Sequence, residues 1–464
     1  MTHNRSIFNS SKPIIIFVII VFLNLSCTPE EETSIPVPSP GQLAWQNAEF
    51  GVIFHFDISL WHKAAPEELH ELARLKTVDI NKYNPTKLDT DQWLKAAKEM
   101  GAKYAMVTAS HQNGFLQWQT DIYPYSVKQA PWRNGEGDLV EDFVNSCRKY
   151  DIEPGIYMGS RFNAYRNVYQ HLVNGGEGPV DSEEQEKYNR EVEQMVEELT
   201  SRYGDLIKFW FDGGVLSPEK GGPDVLPIVM EHQPDILYYH SEQRADARWV
   251  GNEDGVTCYP CYSTITPKDD WYMSDYNISC TGDPDGSTWI SPMADAPLRD
   301  HDWLWKPNRE DKIEPLDSLI HMYYNSVGRA ATLIIGITPD TSGLVPDADL
   351  KRMQEFGAEL KRRFGNPVAT ARGEGKSIVI ELDEPAIIDQ LSIMEDIEHG
   401  ERVRGYIFEG FSEGEWIELA SGTAIGHKRI QIFDPVKVEK VRLRITESVA
   451  NPVIKELAVY NIGK

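Results

Sequence analysis

Asp91-Gln-Trp-Leu-Lys-Ala-Ala-Lys-Glu-Met100-Gly101-Ala-Lys103-Tyr-Ala-Met-Val-Thr108 holds one complete structural unit. Trp93, Leu94, Ala97 and Met100 recur at helical spacing, Gly101 stops the helix, and residues 103–108 form a short apolar strand. The same grammar repeats outward from this point. Strands are predicted at 51–56, 154–158, 205–211, 236–240 and 331–337, and helices at 138–150, 184–203 and 316–327. Alternating strands and helices imply a parallel sheet covered by helices. About 320 residues of this pattern suit a (β/α)8-like barrel, a fold whose usual core is about 250 residues. A doubly wound sheet is the alternative, but the glycine-rich phosphate turn it usually carries is absent. Three of the strands end in polar residues: His55 with Asp57, Ser110 with His111, and Asp212. Carboxyl ends of strands are where a barrel builds its active site.

The rhythm changes after residue 363. Seven short strands, at 376–382, 386–394, 402–411, 415–419, 428–433, 438–445 and 454–460, are separated by Gly, Pro, Asn and Asp. That pattern predicts an antiparallel β-sandwich, which braces the barrel or binds sugar. The organisation expected is a leader at 1–26, a tether at 27–40, a catalytic barrel at 41–365 and the sandwich at 366–464.

Residues 1–26 read as an export signal: His3, Arg5 and Lys12, then the apolar run Ile14 to Leu23. Ten apolar residues are too few for a spanning helix, which needs about 20. The run ends at Leu25-Ser26-Cys27, similar to a bacterial lipoprotein processing site after which Cys27 carries lipid. The acids Glu30, Glu31 and Glu32 follow, and the whole resembles the surface-export signal of Bacteroidetes lipoproteins. The protein is therefore expected to be exported and anchored by lipid to the outer membrane, facing the periplasm or the cell surface.

Of 464 residues, 72 are acidic and 46 basic, a net charge of −26. Nucleic acid is excluded as a partner, because its phosphates attract basic stripes. The hydrophobic fraction of 41% excludes wholesale disorder. Twelve Trp and twenty Tyr supply rings for cores and for stacking on sugars. Cys147 lies in an amphipathic helix and is assigned to the core. Cys258-Tyr-Pro-Cys261 is a lone C-x-x-C, either a disulfide or two buried thiols. It lacks the second pair or the histidines that a zinc site requires. No metal and no cofactor is expected, and the oligomeric state is left open.

Two acids carry the chemistry. Asp212 closes the strand in Phe209-Trp-Phe-Asp-Gly213, where a carboxylate among aromatics is costly to bury without a purpose. Glu253 lies in Arg248-Trp-Val-Gly-Asn-Glu253, with Asp254 and Glu242 as rivals. Two carboxylates at strand ends, bordered by aromatics, are the minimum for glycoside hydrolysis: one attacks and one donates a proton. The first needs a low pKa and the second a raised one.

The region 45–365 resembles glycoside hydrolase family 29, the α-L-fucosidases. The likeness rests on Gly51-Val-Ile-Phe-His55-Phe, on 101–115 through Ala109-Ser-His111-Gln-Asn-Gly-Phe115, on Tyr125-Ser-Val-Lys128 and on Pro131-Trp-Arg-Asn-Gly-Glu-Gly-Asp138. It continues through Gly155-Ile-Tyr157, Trp210-Phe-Asp212-Gly and Ser326-Val-Gly-Arg329. The resemblance implies a retaining exo-glycosidase that removes terminal α-L-fucose from fucosylated glycans, with Asp212 as nucleophile. The stretch 248–253 is similar to the subgroup acting on α-1,3- and α-1,4-linked fucose, which makes Glu253 the acid/base. The same resemblance implies substrate contacts from His55, His111, Gln112, Tyr157, Trp210 and Arg248. The alternatives are a catalytically impaired glycan-binding protein and a glycosidase for a related L- or 6-deoxy sugar. A carbohydrate esterase lacks its G-x-S-x-G element. The chain departs from the family pattern in three places around the expected pocket. Gln112 replaces the second of two adjacent histidines, Leu60-Trp61-His62 with Glu67-Glu68 replaces Glu-Trp-Gly, and Met293 stands where a Glu is usual.

Overall fold

The computed structural model describes residues 1, 35–62, 74–175, 182–267 and 280–463. Leader residues 2–26, Cys27, the start of the tether, Glu67 and Glu68 lie outside the described residues.

Eight parallel strands build the barrel. They are β1 (Phe50–Phe54), β2 (Tyr104–Ser110), β3 (Glu153–Gly159), β4 (Lys208–Asp212), β5 (Leu237–Tyr239), β6 (Ala247–Trp249), β7 (Ser291–Pro297) and β8 (Thr332–Ile337). The hydrogen-bonded order is β5-β4-β3-β2-β1-β8-β7-β6, which is the sequence order opened between β5 and β6. At that seam the Asp246 N–H donates to the Tyr238 carbonyl at 3.1 Å, and the Tyr238 N–H donates to Asp246 Oδ2 at 2.8 Å. One carboxylate thus stands in for a missing rung of the ladder.

Helices α1 (Pro40–Ala48), α2 (Thr90–Met100), α3 (Leu139–Lys149), α4 (Ser182–Ser201), α5 (Leu226–His232), α6 (Leu316–Asn325) and α7 (Asp347–Phe364) accompany the strands. The unit quoted above folds as its residues dictate. Asp89 caps α2 by accepting from the Gln92 N–H at 3.2 Å, and Gly101 ends it in the left-handed region at φ 100°. Strand alternation then divides the core. Val52, Phe54, Val107, Ile156 and Phe211 pack outward against the helices. Ile53, Met106, Trp210, Leu237 and Met293 fill the barrel interior.

The C-terminal region is one six-stranded antiparallel sheet folded around its own apolar core. Its strands are β9 (Ala369–Glu374), β10 (Ser377–Glu395), β11 (Val403–Ser412), β12 (Glu415–Gly422), β13 (Arg429–Ser448) and β14 (Val453–Tyr460). Two pairs of strands expected to be separate are each continuous. β10 and β13 run through register irregularities between Glu381 and Ala386, and these let long strands bend around the core. The sheet is docked on the barrel. Ala330 N–H donates to the Lys428 carbonyl at 2.9 Å, and Ile430 N–H donates to the Gly328 carbonyl at 3.1 Å. Glu49, at the end of α1, accepts from His427 Nε2 at 3.0 Å and pairs with Lys428 Nζ at 2.5 Å.

Cys147 is buried in the core as expected. The C-x-x-C follows neither expected course. Cys258 is joined to Cys280, and Cys261 is a free buried thiol. Among the described residues, no helix is long and apolar enough to cross a membrane.

Candidate active site

A cavity of about 110 Å³ opens at the carboxyl ends of the barrel strands. His55 follows β1, His111 and Gln112 follow β2, Tyr157 lies on β3, Trp210 and Asp212 on β4, and Asp295 on β7. Glu253 comes from the loop after β6, and Trp303 from the loop after β7. A space this small suits one sugar ring rather than a chain.

Asp212 is the anion of the site. Its Oδ2 accepts from Tyr157 Oη at 2.7 Å and from Gln112 Nε2 at 3.2 Å. Burial alone would raise its pKa, but the Tyr157 hydroxyl, the His111 ring, Gln112 and His55 outweigh burial and hold it below the usual carboxylate range. Burial and the Asp212 charge push the Tyr157 phenol well above its ordinary value, so it stays a donor. After Asp212 the chain turns through Gly213 and Gly214, at φ 69° and 81°. A Cβ on Gly213 would stand 2.5 Å from Arg161 Cδ.

The histidines are held by neighbours. Asp57, fully buried, takes the Ser59 N–H at 2.5 Å on Oδ1 and faces His111 Nδ1 at 2.7 Å on Oδ2. Burial would raise the Asp57 pKa; the His111 ring and the Ser59 donors lower it, so the carboxylate orients the ring. The His55 ring packs between His111, Tyr157 and Trp303, at centroid distances of 5.8, 5.7 and 5.0 Å. Gln112 also accepts from Arg74 Nε at 2.8 Å.

Glu253 is exposed, and its Oε2 accepts from Trp303 Nε1 at 2.9 Å. It lines a second, wider groove of about 430 Å³ together with Asp254, Pro297, Glu314, Asp317 and His321. Asp254 faces that groove and not the small cavity. Glu242 lies elsewhere, paired with Lys220 Nζ at 2.8 Å.

The structure brings Asp212, Glu253, His55, His111, Gln112, Tyr157 and Trp210 into one cavity. It does not bring Arg248 there. That guanidinium is buried behind β6, donating to the Tyr262 carbonyl at 2.6 Å and to the Ile290 carbonyl. Met293 also departs from the expectation of a pocket position. It is fully buried inside the barrel, where its Sδ accepts from Lys208 Nζ at 2.7 Å. Arg74, Asp295 and Trp303 were missed. Asp295 lies two residues before the carboxyl end of β7, so a search near strand ends would have found it had β7 been recognised. Arg74 lies on a helical turn and Trp303 on a loop, and neither carries a sequence signal.

The sequence model described as Alpha-L-fucosidase matches residues 37–363. "Alpha-L-fucosidase 1" of Arabidopsis thaliana is 26% identical over 470 residues, covering 92% of this chain and 88% of its own. A candidate alpha-L-fucosidase of Bacteroides thetaiotaomicron, solved as a crystal structure, is 43% identical with a TM-score of 0.88. That match covers 92% of this chain and 99% of the other. A Ruminococcus gnavus glycoside hydrolase family 29 fucosidase, solved with fucose, shares the fold at 23% identity and a TM-score of 0.75, covering 92% and 95% of the two chains. With seven-tenths of its length inside the family model and a barrel that collects its acids at the strand ends, this chain belongs to the alpha-L-fucosidase family of glycoside hydrolases.

Proposed function

We propose that the protein is a retaining exo-α-L-fucosidase acting on terminal α-1,3- or α-1,4-linked fucose. The observation that carries the reading is the shared one-ring cavity of Asp212 and Glu253. A retaining pair stands ~5–5.5 Å apart, and two carboxyls on one small cavity support that reading.

Asp212 attacks the anomeric carbon as the bond to the leaving oxygen breaks. The bond's electron pair stays on that oxygen, which takes a proton from Glu253. Glu253 then removes a proton from water, whose oxygen attacks the same carbon and frees Asp212. His55, His111, Gln112, Tyr157 and Trp210 bind the sugar. The leaving glycan extends into the groove on the far side of Glu253. Gln112 supports the reading because it keeps a donor on Asp212 where the family has a histidine. The leader and Cys27 carry the enzyme to the outer membrane, where it is held by lipid.

The test is fucose release from 1,2-, 1,3-, 1,4- and 1,6-linked fucosides. Asp212→Ala is expected to lose on the order of 10⁴-fold or more in turnover, and azide is expected to rescue Glu253→Ala on an activated fucoside. Near-normal rates in Asp212→Ala would refute the mechanism. Globomycin sensitivity and labelling with a fatty-acid analogue, both lost in Cys27→Ala, test the anchor.

A further inference from the structure

Among the described residues the cavity holds three carboxyls, and the proposed chemistry uses two. The third, Asp295, lies on β7, is 6% exposed and lines the cavity with Asp212 and Glu253. Its Oδ1 accepts from Trp249 Nε1 at 2.7 Å. Among the described residues no salt bridge reaches it. The basic side chains nearby are otherwise engaged. Arg74 holds Gln112 and His111 faces Asp57. Lys208, from β4, is enclosed by the rings of Trp45, Trp210 and Tyr239 at 4.5 to 4.9 Å, and burial drives its pKa well below the usual value.

Two of these acids, Asp212 and Asp295, are buried in one small cavity, where like charges repel at low dielectric. Their surroundings decide which takes the proton. Asp212 has two donors on one oxygen and two histidine rings nearby. Glu253 reaches solvent. Asp295 is buried with one neutral indole donor and faces Glu253 from the loop after β6 and Asp212 from β4. The phenols of Tyr104 on β2 and Tyr239 on β5 are also within its electrostatic reach.

We infer that Asp295 is a sugar-binding residue that works in its protonated form, donating its O–H to a hydroxyl of the bound sugar and leaving the buried negative charge on Asp212. The inference rests on the function proposed above. Burial, with repulsion from Glu253 and Asp212 and against the Trp249 hydrogen bond and Lys208, raises the Asp295 pKa to about 7. The donor is therefore present in acid and lost as pH rises through neutrality. A carboxylate would then face the sugar hydroxyl, and affinity falls.

The experiment compares Asp295→Asn and Asp295→Ala with wild type across pH 5 to 9, reading kcat/KM on an aryl fucoside and the affinity for free L-fucose by calorimetry. The amide of Asn still donates but cannot ionise. Asn is expected to cost up to about tenfold in kcat/KM at pH 5.5, and Ala about 100-fold, the range for losing a hydrogen bond to a buried polar group. The wild-type loss of fucose affinity above pH 7 should be absent in Asn. Equal alkaline falls in affinity for wild type and Asn would overturn the inference. So would an Ala variant, folded by its thermal melt, that binds fucose as tightly as Asn. If wild type releases no fucose at any pH, the catalytic reading fails. The calorimetry then decides on Asp295 alone, with the same two outcomes.

Discussion

The Trp303 indole N–H stands 2.9 Å from Glu253 Oε2 and is the donor that fixes this otherwise exposed carboxyl at the cavity mouth. Proton transfer requires the acid within hydrogen-bond reach of the leaving oxygen. Trp303→Phe keeps the ring against His55 and removes the donor. We expect a fall of about tenfold in kcat/KM, larger on fucosides with poor leaving groups, which need the proton most. An equal loss on good and poor leaving groups would show that Trp303 serves binding alone.

Gln112 donates to Asp212 and so helps to keep it ionised. Gln112→Leu removes that donor and raises the Asp212 pKa. As the proposed nucleophile Asp212 must be an anion to attack, so the acid limb of the kcat/KM profile is expected to move to higher pH. At the optimum the loss is about tenfold, the size of one hydrogen bond to a charged group. A pH titration of both proteins on one aryl fucoside checks this.

Glu49 joins barrel and C-terminal sheet through Lys428 and His427. Burial would raise its pKa, but Lys428 and His427 lower it from 4.5 to about 2, while burial keeps His427 below its own usual value. A depressed acid stabilises the fold above its unfolded pKa. The contribution, about 3 kcal/mol at most, is present above about pH 4.5 and drains away as pH falls towards 2. Glu49→Gln should therefore lower the melting temperature at pH 7, and the gap to wild type should close in acid. Melts at pH 7 and pH 3 measure both.

The Cys258–Cys280 bond spans 22 residues beside the loop that carries Glu253. Closing a loop of that length contributes about 3 kcal/mol through the unfolded chain. The Cys258→Ser, Cys280→Ser double variant is expected to melt lower and to become insensitive to reductant. Cys261→Ala should leave reductant sensitivity as it is in wild type.

Strands β1 to β5 and β8 were legible because their apolar cores sit next to amphipathic helices. β6 and β7 were not. Ala247–Trp249 is three residues long, and Ser291–Pro297 carries Pro near both ends and Asp295 within, so neither shows an apolar run. Missing β7 hid Asp295. Asp212 and Glu253 stand out by their aromatic and glycine neighbours; residue type left Asp254 as a rival, the resemblance chose Glu253, and of the two only Glu253 lines the small cavity. Arg248 reads as a ligand because it is charged and near Glu253; it alternates to the opposite side of its strand from Trp249 and serves carbonyls there. The disulfide was hidden because Cys280 is far from Cys258 in the chain.

Glu253 forms part of the wall between a cramped chamber and an open trough. On the function proposed here, the two products leave by different doors and at different times. The trimmed glycan is free to drift off along the trough as soon as its bond breaks, while the single sugar stays tied to Asp212 until water arrives. Such an enzyme nibbles branches from their tips, and each bite ends with the larger fragment already gone.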